Sequence, residues 1–177
     1  MIRILITLLL FNLTACGQTD TKKDTAGWET FNGANYSIKY PADWILSQKG
    51  QMGTSFVLFS PSENDNDRFS ENVNLIIQDL TGRNVELDKY VEISEEQLKT
   101  MITNATLLES KRIKDPGSEF HKMIYTGDQG IFKLKFEQYY WVINERAYVL
   151  TLTCEQSKFT DYKETGERIL NSFLFKK

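Results

Sequence analysis

The chain has 177 residues, with 21 Lys and Arg set against 24 Asp and Glu, one His and two Cys. A net charge of −3 gives no basic footprint of the kind duplex binding rests on, so nucleic acid is not an expected partner. Of the two cysteines, Cys16 and Cys154, the first belongs to the leader. That leaves no internal disulfide and no thiolate metal cluster to expect.

The leader comes first. Met1, Ile2 and Arg3 form a short basic start, and residues 4–13 are apolar apart from Thr7 and Asn12. Leu13-Thr14-Ala15-Cys16 then follows. About ten apolar residues are too few for a spanning helix, which needs about 20, but they suit a secretory signal cut before Cys16. Leu-Thr-Ala-Cys resembles the bacterial lipobox, in which the cysteine is acylated and becomes the new N-terminus. Residues 1–15 are thus expected to be a signal peptide and Cys16 the lipidation site. Several acyl chains anchor stably where one is marginal. Gly17, rather than Asp, follows the cysteine and favours the outer over the inner membrane. Residues 17–27, GQTDTKKDTAG, are small, polar and aperiodic. They read as a flexible tether spanning roughly 17–20 Å.

From Trp28 onward the chain shows no repeat and no second linker, which suits one domain over residues 28–177. Residues 36–40, YSIKY, alternate as a strand does. Pro41 stops them and turns the chain into a short strand at 44–46. Residues 54–60 form a further strand, 61–72 a polar loop, and 73–80 a returning strand. Leu87, Val91, Ser94, Leu98, Met101 and Ile102 fall on one helical face, with Glu95 and Lys99 as an outward i, i+4 pair. Strands are expected at 106–113 and 120–125, separated by a turn at Asp115-Pro116-Gly117. A closing helix presents Phe159, Tyr162, Ile169, Leu170 and Phe173. Gly166 lies on the same face, where close packing on a sheet would account for it.

Residues 130–155 organise the rest as a long hairpin. Phe132, Leu134, Phe136, Tyr140 and Val142 alternate with Lys133, Lys135, Glu137, Tyr139 and Trp141. On the return strand Tyr148, Leu150, Leu152 and Cys154 alternate with Ala147, Val149, Thr151 and Thr153. A three-residue turn at Asn144, Glu145 and Arg146 would put Phe136 beside Cys154, Tyr140 beside Leu150 and Lys135 beside Glu155. A two-residue turn would mix apolar and polar side chains on both faces. The three-residue register is therefore expected.

No stretch spells out a reaction. His121 has no nucleophile turn nearby, and Cys154 sits on an apolar alternation as a small core residue would. Glu63, Asp65 and Asp67 begin like a calcium loop, but Arg68 stands where the tight-turn Gly belongs and Asn74 where a bidentate Glu would, so a solvated loop is the better reading. No catalytic residue, metal or cofactor is expected. The second hairpin face, with Lys133, Lys135, Tyr139 and Trp141, mixes aromatic and basic groups as partner-binding surfaces do. The alternative is that a helix or the N-terminal strands cover the aromatics while the lysines snorkel outward.

Tyr36-Ser37-Ile38-Lys39-Tyr40-Pro41-Ala42-Asp43-Trp44 resembles the opening of PsbP-like and DcrB-like domains. Ala147-Tyr148-Val149-Leu150-Thr151 and the ending Ile169-Leu170-Asn171-Ser172-Phe173 are similar to theirs too. The resemblance implies an α+β fold, a central antiparallel β-sheet flanked by α-helices as an α/β/α sandwich. It also implies a mostly non-enzymatic role. Such domains serve as extrinsic photosystem subunits, envelope lipoproteins and cytoplasmic effector chaperones, and the signal peptide separates this chain from the last group. The expectation is a cell-envelope lipoprotein, anchored to the membrane through lipid, whose domain binds or assembles an envelope protein partner. The alternative is a carrier or chaperone for a lipid or other apolar ligand, with a cavity lined by Phe136, Leu150 and Leu152.

Overall fold

In a computed structural model, residues 27–50, 53–115 and 118–176 are described. The leader, Cys16, the tether up to residue 26, and Pro116-Gly117 of the expected turn lie outside them. Strands β1 (Trp28–Asn32), β2 (Tyr36–Pro41), β3 (Ile45–Ser47), β4 (Thr54–Phe59) and β5 (Asn72–Asp79) precede helix α1 (Leu87–Met101). Strands β6 (Thr103–Asp115), β7 (Ser118–Gln129), β8 (Phe132–Ile143) and β9 (Arg146–Glu155) follow. Helix α2 (Phe159–Asn171) and the short strand β10 (Leu174–Phe175) close the chain. Seven strands form one antiparallel sheet in the order β3-β4-β5-β9-β8-β7-β6, and β1, β2 and β10 form a separate small sheet.

The large sheet is covered on both faces, as the α+β expectation required. Helix α1 lies on one face, where Tyr90, Val91 and Leu98 pack with Ile76, Tyr125, Leu134, Phe136, Tyr140 and Val149. Tyr90, absent from the expected helical face, is fully buried and its hydroxyl donates to Gln78 Oε1 at 2.6 Å. On the opposite face, α2 and the small sheet pack Ile38, Phe159, Ile169, Leu170 and Phe173 against Leu75, Trp141, Leu150 and Leu152. Met101 is exposed rather than core-facing. Glu95 turns toward β6 and accepts from Ser110 instead of acting as an outward partner for Lys99.

The hairpin register differs from the expected one. Ile143 pairs with Arg146, so the turn is the two residues Asn144 and Glu145, with φ of 49° and 55°. Two consecutive positive φ values match the type I′ turn, whose twist fits the flanking strands. Leu80 N–H donates to the Glu145 carbonyl at 2.8 Å and Gly82 N–H to Glu145 Oε1 at 3.1 Å, which hold the turn without a glycine. Phe136 therefore opposes Thr153, Tyr140 opposes Val149, and Lys135 opposes Cys154. Moving the register by one residue flips a strand's side chains to the other face. Leu150, Leu152 and Cys154 consequently join Tyr139 and Trp141, while Phe136 and Tyr140 lie on the α1 side. Both faces carry mixed residues because both are buried, and polar members on each face find partners across the strands. Gln138 Nε2 donates to Thr151 Oγ1 at 3.0 Å on one face, and Lys122 meets Glu137 at 2.6 Å on the other.

Gly166 is where α2 touches the sheet most closely. A Cβ there would lie 2.4, 2.8 and 3.1 Å from the Cδ2, Cδ1 and Cγ atoms of Leu152, itself fully buried. Gly166→Ala should cost up to about 2 kcal/mol, because overpacking of about 1–3 kcal/mol is set against the roughly 1 kcal/mol gain in helix propensity. In a Leu152→Ala background the same change should turn stabilising. Urea unfolding of the four proteins reads this coupling directly.

Candidate functional site

The four residues proposed from sequence as a partner face do not form a free one. Tyr139 and Trp141 are 4% and 5% exposed. The chain's own ends cover them. Trp141 packs on Phe173 and Phe175 at ring separations of 5.2 and 5.8 Å, and Tyr139 stacks on Phe120 at 4.5 Å. The Tyr139 hydroxyl donates to Asn171 Oδ1 of α2 at 3.2 Å. Lys135 lies with its ammonium 4.1 Å from the centre of the Phe159 ring, and only Lys133 is exposed. Strand β10, too short to show a sequence period, supplies Phe175 and is what the sequence reading missed.

The cavity expected for an apolar ligand is also not assembled. Phe136 points to the α1 side, whereas Leu150 and Leu152 pack fully buried on the α2 side. Cys154 is fully buried, and burial pushes its thiol well above the ordinary range. The histidine does have a hydroxyl neighbour. Ser110 Oγ donates to Glu95 Oε1 at 2.5 Å and lies 2.7 Å from His121 Nε2. Here the hydroxyl stands between carboxylate and imidazole, the reverse of a nucleophile relay, in which the imidazole is central. Burial, and then the Arg112 guanidinium, hold His121 below its ordinary value.

The loop after β4 is exposed over residues 61–66, as its polar composition implies, and is tied down through Glu63 and Asp67. Lys158, just before α2, reaches Glu63 Oε2 and Asp67 Oδ1, each at 3.1 Å, and Glu155 Oε2 at 3.7 Å. Its ammonium occupies the centre a metal ion would need. Burial works against its charge, but the hydrogen bonds it donates to Asp67 and Glu63 outweigh that and raise its affinity for the proton. Beneath this knot Glu71 is fully buried, with Oε2 unpaired and Oε1 receiving the Glu155 N–H at 3.5 Å. Burial pushes its carboxyl up to about 7 from 4.5, despite the nearby charge of Lys158.

Among the described residues, the surface best suited to a macromolecular partner is the outer edge of β6. This thirteen-residue strand pairs only with β7, whereas the opposite edge, β3, has three residues. Leu107 and Leu108 are exposed beside a bulge that interrupts pairing between Leu107 and Glu109. An edge strand presents unpaired N–H and C=O groups that an extended segment can join, and bulges and charges normally limit that pairing to suitable partners.

A family model described as PsbP-like protein matches residues 2–175. No curated protein matches the chain significantly. Among solved structures, cyanobacterial PsbP (CyanoP) from Synechocystis sp. PCC 6803 superimposes with a TM-score of 0.65 at 15% identity, covering 90% of this chain and 98% of its own. LpqN, involved in cell envelope biogenesis of Mycobacterium tuberculosis, gives a TM-score of 0.64 at 13% identity, covering 85% and 91%. PA94 from Pseudomonas aeruginosa gives 0.58 at 11% identity, covering 85% and 98%. At these identities the likeness is one of fold.

Glu71 makes stability depend on pH in a defined direction. Its folded value of about 7 exceeds 4.5, so the folded chain holds the extra proton between them and stability falls as pH rises through that window. The loss is up to about 3 kcal/mol at 1.36 kcal/mol per unit. His121, held low, contributes the opposite slope below its ordinary 6.5. Glu71→Gln should therefore match the parent near pH 4.5 and exceed it in stability above pH 7. Urea unfolding of both proteins across this range isolates Glu71, because the His121 contribution cancels in their difference.

Proposed function

The chain belongs to the PsbP-like family, and from that footing we propose that it is a cell-envelope lipoprotein whose single domain is a non-catalytic module for binding or assembling a protein partner near the membrane. The observation that carries the reading is Cys16 in Leu13-Thr14-Ala15-Cys16, directly behind an apolar leader and before a polar tether. Tethering raises the effective concentration of the domain for neighbours at the same surface. The fold likeness to LpqN, which is involved in cell envelope biogenesis, favours the envelope over other destinations. Gly17 after the cysteine favours the outer membrane.

The partner surface in this proposal is the β6 edge, because Tyr139 and Trp141 are buried and the chain's own aromatics occupy that face. The partner would add an extended segment to β6, with main-chain hydrogen bonds supplying affinity and side chains such as Leu108 supplying choice.

Two measurements test this. Cys16→Ser should abolish incorporation of labelled palmitate and release the protein from sedimented membranes; retention of both label and sedimentation would overturn the anchor. A photoreactive residue at Leu108 should capture one envelope protein in intact cells, whereas one at Ile131, exposed in the β7–β8 turn, should not. Equal capture from both positions, or none from Leu108, would overturn the edge as the partner surface.

A further inference from the structure

A second surface is built where the chain first enters the fold. Trp28 opens β1, opposite Pro41 of β2, and the next rung on that face is Thr30 opposite Lys39. Helix α2 ends beside them. Ser172 Oγ receives the Lys39 N–H at 2.8 Å and donates to the Ile169 carbonyl at 2.7 Å, which fixes the helix end against β2. Trp28, Lys39, Arg168, Asn171 and Ser172 line an open cleft of about 440 Å³. The Arg168 guanidinium sits 4.6 Å from the centre of the Trp28 ring. Asn171 accepts the Tyr139 hydroxyl at its Oδ1, and its amide N–H groups have no acceptor among the described residues.

The charge in this cleft is one-sided. Neither Lys39 nor Arg168 has an acidic partner within 4 Å among the described residues, a state shared with surface cations such as Lys133 and Arg146, but only here do two such cations line one cleft with a tryptophan. The end of α2 contributes an opposing term, equivalent to roughly half a negative charge. Two full cations exceed it, so the cleft favours an anion. A half-buried tryptophan completes a chemistry found at membrane surfaces, where indole rings sit at headgroup level and basic side chains meet lipid phosphates.

We propose that this cleft binds the phosphate of an anionic lipid headgroup, Lys39 and Arg168 contacting the phosphate oxygens while the Trp28 ring lies along the glycerol backbone. Only eleven residues separate Trp28 from Cys16, which in any conformation reach no more than about 40 Å. The proposal rests on the anchored reading for that proximity alone; the cleft is read from its side chains. Its consequence is orientation: the anchor holds the domain near the bilayer, and the cleft decides which side faces it.

The test uses the full-length chain, labelled with nitrogen-15, in nonionic detergent micelles. The indole N–H resonances of Trp28, Trp44 and Trp141 are followed, with Trp28 identified by Trp28→Phe. Doping the micelles with dihexanoyl phosphatidylglycerol should shift the Trp28 resonance saturably. Dihexanoyl phosphatidylcholine, or inorganic phosphate at the same concentration, should not. Lys39→Gln and Arg168→Gln should each weaken the response roughly fivefold, the usual worth of a basic residue at an anionic surface. Buried Trp44 and Trp141 report in every sample that the fold is kept. No selective shift, or an unchanged response in the double variant with those two resonances in place, would overturn the proposal. A response to inorganic phosphate equal to that for the lipid would overturn the headgroup assignment. Because the lipid is supplied in the micelle, these outcomes stand apart from the labelling of Cys16.

Discussion

The arrangement of the domain depends on the parity of one turn. With two residues at Asn144 and Glu145, odd residues of β8 share a face with even residues of β9. Tyr139 and Trp141 then join Leu150, Leu152 and Cys154 in one core, while Phe136 and Tyr140 join Val149 in the other. A third turn residue would exchange the faces of the whole return strand. The turn is specified from outside as much as from within. Residues 80 and 82 donate to Glu145, so the end of β5 sets the register of a hairpin more than sixty residues downstream.

Burial on both faces removes the centre of the sheet from contact with anything else. The α2 face is closed by the two ends of the domain, β1 and β2 from the start and Phe173 and Phe175 from the finish, which meet in one small sheet. What remains for recognition among the described residues is the perimeter, including the long edge at β6, the cleft at the C-terminal end of α2, and the loops. Charged groups drawn into the interior serve as ties between distant segments. Lys122 joins β7 to Glu137 of β8 and Glu167 of α2, and Lys158 joins α2 to the loop after β4. Removing one partner from such a buried pair would strand the other, which is the costly case, whereas an apolar replacement of both is much less so.

Much of this was legible in the sequence, and the parts that were not share a cause. Strand β2 and both helices follow period or helical spacing, because the signal of a core-facing side is local, while β4 and β5, buried on both faces, read as short apolar runs bounded by turns. The hairpin itself was legible but its register was not. The reasoning that one face must be apolar and the other polar holds only for a sheet with a solvated side, and Lys135, Glu137 and Gln138 are polar residues paired or covered within packed layers. Strands β1 and β10 carry too few residues to show a period, yet β10 sets Phe175 on Trp141. The loop at residues 61–72 read as solvated because its composition is polar. Only the position of Lys158, some ninety residues away, ties down the Asp67 carboxylate, and burial raises the Glu71 carboxyl against the charge of that same lysine. The β6 edge and the Trp28 cleft could not be read at all, since each is defined by what fails to cover it.

Helix α2 links these perimeter features by its polarity. Its N-terminal end carries Glu63, Asp67 and Glu155 gathered on one lysine, a net negative knot where the helix dipole favours negative charge. Its C-terminal end carries Arg168 with Lys39 beside it, cations where the dipole favours positive charge. Thirteen residues at 1.5 Å per residue separate the two ends by about 20 Å, twice the Debye length at ordinary ionic strength. A negatively charged surface therefore meets the two ends as independent patches, attracting one and repelling the other. The fold's own preference for opposite charges at opposite helix ends would then orient the domain on an anionic leaflet, with the entering chain, Trp28 and the cationic end on the same side.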